Sequence, residues 1–158
     1  LLTLVHNNII RGLVANATLL SYPWNTVCQD DSLSSFSTDK APSQSSLPFN
    51  LQPTELQQKE SHHPWLDLIP FPRFRDNVLH KLACSKEWDE TELCEDLTGV
   101  GKFQLSCSRP GLMIWGENSW DAHNWEVTDE FAHKWHDVLD GCWDLIASSN
   151  VWRKRRGE

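Results

Sequence analysis

The chain has one methionine, Met113, and begins at Leu1 instead of a methionine. It is therefore expected to be a piece of a longer protein, whose activity can reside elsewhere. It lacks the unbroken apolar run of about 20 residues that a membrane-spanning helix needs. Its most apolar stretch, LLTLVHNNIIRGLVANATLL at residues 1–20, is interrupted by His6, Asn7, Asn8, Arg11 and Asn16. A basic start followed by a continuous apolar segment and a small-residue cleavage site, the marks of a signal peptide, are also missing. The five cysteines, Cys28, Cys84, Cys94, Cys107 and Cys142, are odd in number and include no CxxC pair. Disulfide-built secreted domains carry dense, even sets, so an intracellular, reducing setting is expected. Asn16-Ala17-Thr18 fits the glycosylation acceptor pattern, which reads as a chance match in such a setting. The formal net charge of −8 opposes non-specific attraction to phosphate backbones.

Several chemical signatures are absent too. There is no Gly-x-Ser-x-Gly elbow, His-Glu-x-x-His helix, Walker loop or dinucleotide fingerprint. The acidic run DETELCED at residues 89–96 lacks the Asp/Asn alternation and central glycine of a calcium loop. It reads instead as the acidic first turn of a short helix. His133 and His136 with Cys142, and His123 nearby, are an incomplete zinc set, so no metal is assigned. His62 or His63 with Asp67 supplies the residue types of a base and its orienting carboxylate, and Cys84, Cys94 or Cys142 those of a nucleophile. No spacing joins them into a mechanism, so no catalytic residue and no cofactor is assigned.

What the chain does have is helical periodicity, tryptophan and one proline-rich segment. At 158 residues it suits a single domain, residues 1–158, that buries about 68–70% of its unfolded surface. Leu2, Val5, Ile9, Leu13, Ala17 and Leu20 recur three or four apart, and Leu1, Ile10 and Val14 widen that face. This predicts a largely buried helix ending near Ser21-Tyr22-Pro23. Residues 29–61 hold eight serines and three prolines around isolated hydrophobes such as Phe36, Leu47, Phe49 and Leu51. They read as a long irregular connection pinned by those hydrophobes. Phe103–Ser106 and Leu112–Trp115 are expected to form a short hairpin across Arg109-Pro110-Gly111. Phe131, Trp135, Val138, Cys142, Leu145, Ser149 and Trp152 form a helical seam capped by Thr128 and interrupted by Gly141. The predicted fold is mainly α: a compact helical domain with a long irregular connection and one short β-hairpin.

Nine tryptophans are present, and Trp115, Trp120, Trp125 and Trp135 lie within 21 positions. Such rings line pockets for flat or apolar ligands, and they equally fill the core of a small domain. The basic tail at 153–158 carries Arg153, Lys154, Arg155 and Arg156 and sums to +3, leaving −11 on the rest. It suits a phosphate or an import receptor, or it complements the negative end of a helix while staying solvated. In HHPWLDLIPFPRFRDNVL, residues 62–79, Pro64, Pro70 and Pro72 restrict the backbone. An extended segment presenting Trp65, Leu68, Ile69 and Phe71 before a helix near Arg73 is expected. Arg73 or Arg75 is placed to pair with Asp67 or Asp76.

His63-Pro64-Trp65-Leu66-Asp67-Leu68-Ile69-Pro70-Phe71-Pro72 followed by Arg75-Asp76-Asn77 resembles the signature of a fungal domain of unknown function. That domain often follows the basic leucine zipper of fungal bZIP-type transcription factors. Similar segments continue in the same order: Leu93–Leu97, Gly111–Gly116, Trp125–Thr128 with Phe131, Lys134-Trp135, and Ser149–Arg153 through Arg156-Gly157-Glu158. The opening helix and Asp30-Asp31-Ser32 fit as well. One departure lies at Trp115–Asp121, where the family has a proline between the acidic residue and the second tryptophan. The resemblance implies a nuclear role in transcription regulation for the parent protein, and the role expected of this chain is that of a non-enzymatic regulatory or protein-interaction domain. Its partner is a protein or a small ligand, recognised through Trp65, Arg75, Asp76, Trp115, Trp120, Trp125 and Trp135. DNA contact belongs to a basic region that this chain lacks, and no membrane is expected as a partner. The alternative is a module that only stabilises its parent protein, with a hydrolase or metal-dependent enzyme behind both.

Overall fold

The computed structural model describes residues 2–27, 29–38, 46–101 and 109–158. Leu1, Cys28, Cys107 and the predicted strand Phe103–Ser106 lie outside the described residues, as does the side chain of Leu2. Helix α1, Leu2–Leu19, buries Val5, Ile9, Leu13 and Ala17, the face its periodicity predicts. It closes when Ser21 takes a left-handed φ of 59° and the Tyr22 N–H turns back to the Ala17 carbonyl at 2.9 Å. That closure is the six-to-one bond of a Schellman end, a place usually held by glycine.

Among the described residues of 29–61 the backbone is irregular apart from 3-10 turns and α2, Glu55–Lys59. Helix α2 begins on a capping box: the Thr54 hydroxyl accepts from the Gln57 N–H, and the Gln57 side chain accepts from the Thr54 N–H. Phe36, Leu47 and Leu51 pin this connection to the core, whereas Phe49 is exposed. The segment Pro64–Leu68 is a buried 3-10 turn rather than extended chain. Pro64 occupies its first position, where a φ near −65° suits either geometry and no donor is missed. Helix α3, Pro72–Cys84, follows with Pro72 at its own first turn, and α4 spans Thr91–Thr98.

The hairpin pairs β1, Leu112–Ile114, with β2, Trp125–Val127, antiparallel in the register Leu112–Val127, Met113–Glu126 and Ile114–Trp125. Among the described residues Leu112–Ile114 thus pairs with a strand on its C-terminal side, which the sequence did not point to. All six strand residues are buried, with α1 packed on β1 and a C-terminal helix on β2. Helix α1 lies on β1, where Gly12 gives Ile114 room: a Cβ at Gly12 would sit 2.3 Å from the Ile114 Cδ1. Helix α6, Trp143–Arg156, lies on β2. There the Ser149 hydroxyl accepts from the Val127 N–H at 2.9 Å and the Ser148 hydroxyl donates to the Trp125 carbonyl at 2.7 Å. Two short strands unstable alone are held by these helices.

The seam from Phe131 to Trp152 is two helices, α5 (Asp129–Lys134) and α6, where periodicity suggested one interrupted helix. Thr128 caps α5 as expected. The break is tertiary in origin. Asn77 on α3 donates to the carbonyls of Val138 and Asp140 at 3.0 and 2.8 Å, and Gly141 takes φ 74°. Those carbonyls are withdrawn from helical bonding, yet Val138, Cys142 and Leu145 still reach the core.

Substituting Ser21→Gly relieves the left-handed strain, so urea denaturation is expected to show a gain of up to about 1 kcal/mol.

Candidate functional site

Asp67, at the centre of the proline-rich segment, is fully buried and accepts four hydrogen bonds. Its Oδ1 receives Gln57 Nε2 at 2.6 Å and His62 Nε2 at 2.8 Å; its Oδ2 receives the Ser34 hydroxyl at 2.6 Å and the Tyr22 hydroxyl at 2.7 Å. The other nitrogen of His62, Nδ1, lies 2.7 Å from the Glu60 carbonyl and must donate to it. Both ring nitrogens therefore face acceptors. Burial works against a charged ring, but the bonds to Asp67 and Glu60 prevail and raise the His62 pKa above its ordinary value. Burial, then the Asp67 charge, pushes the Tyr22 phenol upward.

Arg75 lies close by, also fully buried, and donates to three backbone carbonyls: Asn50 and Ile69 at 3.0 Å and Gln52 at 2.8 Å. Burial lowers its pKa to about 10, against the opposing charges of Asp67 and Asp76. Neither ion pair expected for the two arginines forms directly. Arg75 bonds to backbone, and Arg73 lies 4.0 Å from Asp140 at the surface. Asp76 accepts from the Thr54 hydroxyl at 2.5 Å.

The chemistry expected of His62 and Asp67 takes a different form. Ser34 and His62 donate to opposite oxygens of one carboxylate, so the acid separates them and no base faces the hydroxyl. Burial, reinforced by Asp144, pushes the Cys142 thiol up to about 12, away from thiolate reactivity. No group of three or more His, Cys, Asp or Glu side chains converges on a metal position among the described residues. Asn16 of the glycosylation pattern is fully buried, donating to the Leu68 and Ser119 carbonyls.

One face of the Asp67 scaffold opens on a mostly apolar cavity of about 290 Å³. Ile10 and Leu13 of α1, Trp24, Trp65, Leu68 and Leu97 form much of its wall, and Asp30, His63, Glu90 and Glu95 also line it. This is close to the lower end of small-molecule sites, which combine apolar walls with a few polar groups. His63 Nδ1 and Glu90 Oε1 are hydrogen-bond partners, while His63 Nε2 lies 3.1 Å from the Asp30 carbonyl. Glu90 Oε2 is buried and has no hydrogen-bond partner among the described residues. An unmet buried acceptor costs about 1–3 kcal/mol.

Of the seven expected recognition residues, only Trp65 lines this cavity. Trp125 is fully buried and donates to the Ser119 carbonyl at 2.8 Å; Trp135 is buried and donates to Asp96 at 2.9 Å. Trp115 is half-buried, donates to Glu126 at 2.6 Å and lies beneath Arg156. Trp120 is partly exposed away from the cavity. The tryptophans clustered in sequence therefore scatter in space. Trp24, Asp30 and Glu90 reach the cavity from separate segments, and no local sequence pattern joins them.

The basic residues at 153–156 form the last turn of α6. Arg156 makes a two-pronged contact with buried Glu126 at 2.6 and 2.7 Å, and Arg153 donates to the Val127 carbonyl at 2.6 Å. Lys154 and Arg155 are exposed, with Arg155 over the Trp152 ring. Two of the four cations thus fasten α6 to β2 instead of forming part of a solvated tail.

These features define a mainly helical domain built around a buried carboxylate, with a small apolar cavity on one side. No helix among the described residues is long and apolar enough to cross a membrane. A family model described as a domain of unknown function, DUF3425, matches residues 31–146. The match spans well over half of the 158 residues, and the chain belongs to that family. No curated protein and no solved structure matches the chain.

Asp67→Asn replaces an acceptor of four bonds with a group that presents donors to two of them. A loss of about 3–5 kcal/mol is expected in urea denaturation. His62 supplies a pH test. Its folded pKa is raised above the unfolded value of about 6.5, so its contribution is complete below that pH and is lost as pH rises through the folded value. The melting temperature is expected to fall as pH rises above about 6.5, and His62→Gln should flatten that part of the profile.

Proposed function

We propose that this chain is a non-enzymatic regulatory domain of a fungal transcription factor of the basic leucine zipper type, acting in the nucleus by binding a small ligand or partner. The carrying observation is the cavity against Trp65 and His63, two residues of the segment through which the chain resembles the zipper-associated domain. Binding there stabilises the packing of α1, the Pro64–Leu68 turn and α4 against one another. Occupancy then becomes a mechanical signal to whatever the domain adjoins. DNA contact belongs to a separate basic region, consistent with the excess of acidic residues here.

A second reading, a module that only stabilises its parent, draws on the burial of Trp125, Trp135 and Arg75 in structural bonds. The two readings separate in a thermal-shift screen of the 158-residue chain against small apolar metabolites. A ligand at about 100 times its Kd is expected to add about 2.7 kcal/mol of stability. A screen without any saturable shift favours the stabilising module. The transcription-factor context is tested by the coding sequence upstream of Leu1, where a basic region followed by leucine heptads is expected. An intact gene without them removes that context.

A further inference from the structure

We infer that the outward face of α6 is a self-association surface, on which a second copy of this chain lays its own α6 antiparallel. Helix α6 has two faces of different character. Leu145, Ser148 and Ser149 are buried, and the two serine hydroxyls are bonded to the backbone of β2. On the other side Trp143, Ala147 and Val151 recur every fourth residue and form one ridge in solvent. Trp143 is 75% exposed and Val151 49%. A solvent-facing helical surface normally carries charge, and tryptophan and valine are poorer helix formers than the lysine or glutamate that suits such positions. An apolar surface rimmed by polar residues marks a contact site, and tryptophan is among the side chains that dominate interfaces.

The order of charges identifies the occupant. The ridge is uncharged in its middle, with Asp140 and Asp144 exposed at its start and Lys154 exposed at its finish. Arg153 and Arg156 are paired with Glu126, whereas Lys154 has no ion-pair partner among the described residues. Asp140 lies 4.0 Å from Arg73 with most of its carboxylate in water. A two-fold axis through Ala147 makes this order self-complementary. Trp143 and Val151 stand four residues to either side of Ala147, so the indole of one copy meets the valine of the other. Asp140 and Lys154 stand seven residues to either side, so two acid–lysine pairs form at once. A parallel pairing sets lysine against lysine, and the small side chain of Ala147 lets the two backbones approach at the axis. The net charge of −8 on each copy opposes encounter, but salt screens that repulsion beyond about 8 Å, while the ridge charges act at contact. A helix of 14 residues is about 21 Å long, so the ridge covers less than the roughly 800 Å² per partner of a standard interface. The dimer is therefore weak and reversible. None of these residues lines the cavity beside Trp65, so the surface stands apart from the ligand-binding reading.

The test is sedimentation equilibrium of the 158-residue chain from about 5 to about 500 μM, where a weak dimer forms reversibly. The weight-average mass is expected to rise with concentration toward twice that of the monomer. Trp143→Ala is expected to raise the dissociation constant about tenfold or more. Ala147→Glu sets like charges against each other at the axis and should abolish association, and glutamate is a good helix former, so the fold is kept. Lys154→Glu is expected to weaken association about threefold or more, and adding Asp140→Lys to return the affinity to within about twofold of the unsubstituted chain. Circular dichroism checks each fold, and Ala147→Glu stands in if Trp143→Ala unfolds. A chain that stays monomeric throughout, a dimer unchanged in the folded variants, or a charge swap that fails to restore association overturns the inference.

Discussion

A carboxylate without water must find its hydrogen-bond donors inside the protein, and Asp67 finds four of them on segments far apart in sequence. Tyr22 follows the end of α1, Ser34 and Gln57 belong to the long connection, and His62 opens the proline-rich turn. Each donor fixes one strand of otherwise weakly structured chain. Desolvating the charge is costly, and the completed set of bonds offsets that cost only in a single arrangement of the four segments. Arg75 acts in the complementary sense, as a buried cation gathering the carbonyls of residues 50, 52 and 69. A connection rich in serine and glutamine thereby becomes part of the core.

A second polar assembly organises the opposite end of the sequence. Buried Glu126 on β2 draws in Trp115, Arg153 and Arg156, and the serine hydroxyls of α6 meet the outer edge of the same strand. Helix α1 links the two assemblies, since Asn16 bonds to the Leu68 carbonyl beside the first and to Ser119 beside the second. The cavity lies where the Asp67 scaffold meets α4. Its floor belongs to a cross-linked core, while part of its rim, including Trp24 and Asp30, is exposed. That division suits a site whose occupancy adds order to an already stable frame.

Much of the helical architecture was legible because helical burial repeats every three or four residues. Val5 to Ala17 on α1 and the apolar positions of α5 and α6 show it directly. The capping box of α2 fits a helix-start pattern in Thr54 and Gln57, but the surrounding polar composition without periodicity concealed the helix. The strand partner of Leu112–Ile114 was harder to find, since three buried residues in a row carry no alternation. Membership in the DUF3425 family rests on residues 31–146 and so includes the Asp67 turn and α4, but not α1.

By itself, the sequence determined the buried faces of the main helices, where Thr128 and Pro72 start helices, and that prolines restrict the backbone around Trp65. These are local matters of periodicity, capping and fixed proline torsions. Only the tertiary structure decided what the polar residues do. Asn77 breaks the seam before α6 by taking its carbonyls, Asp67 becomes an acceptor for four remote donors, and Arg153 and Arg156 turn toward Glu126. It also decided which tryptophans meet. Trp24 and Trp65 share the cavity while Trp125 fills the core, because a pocket depends on distance through space and not on spacing along the chain.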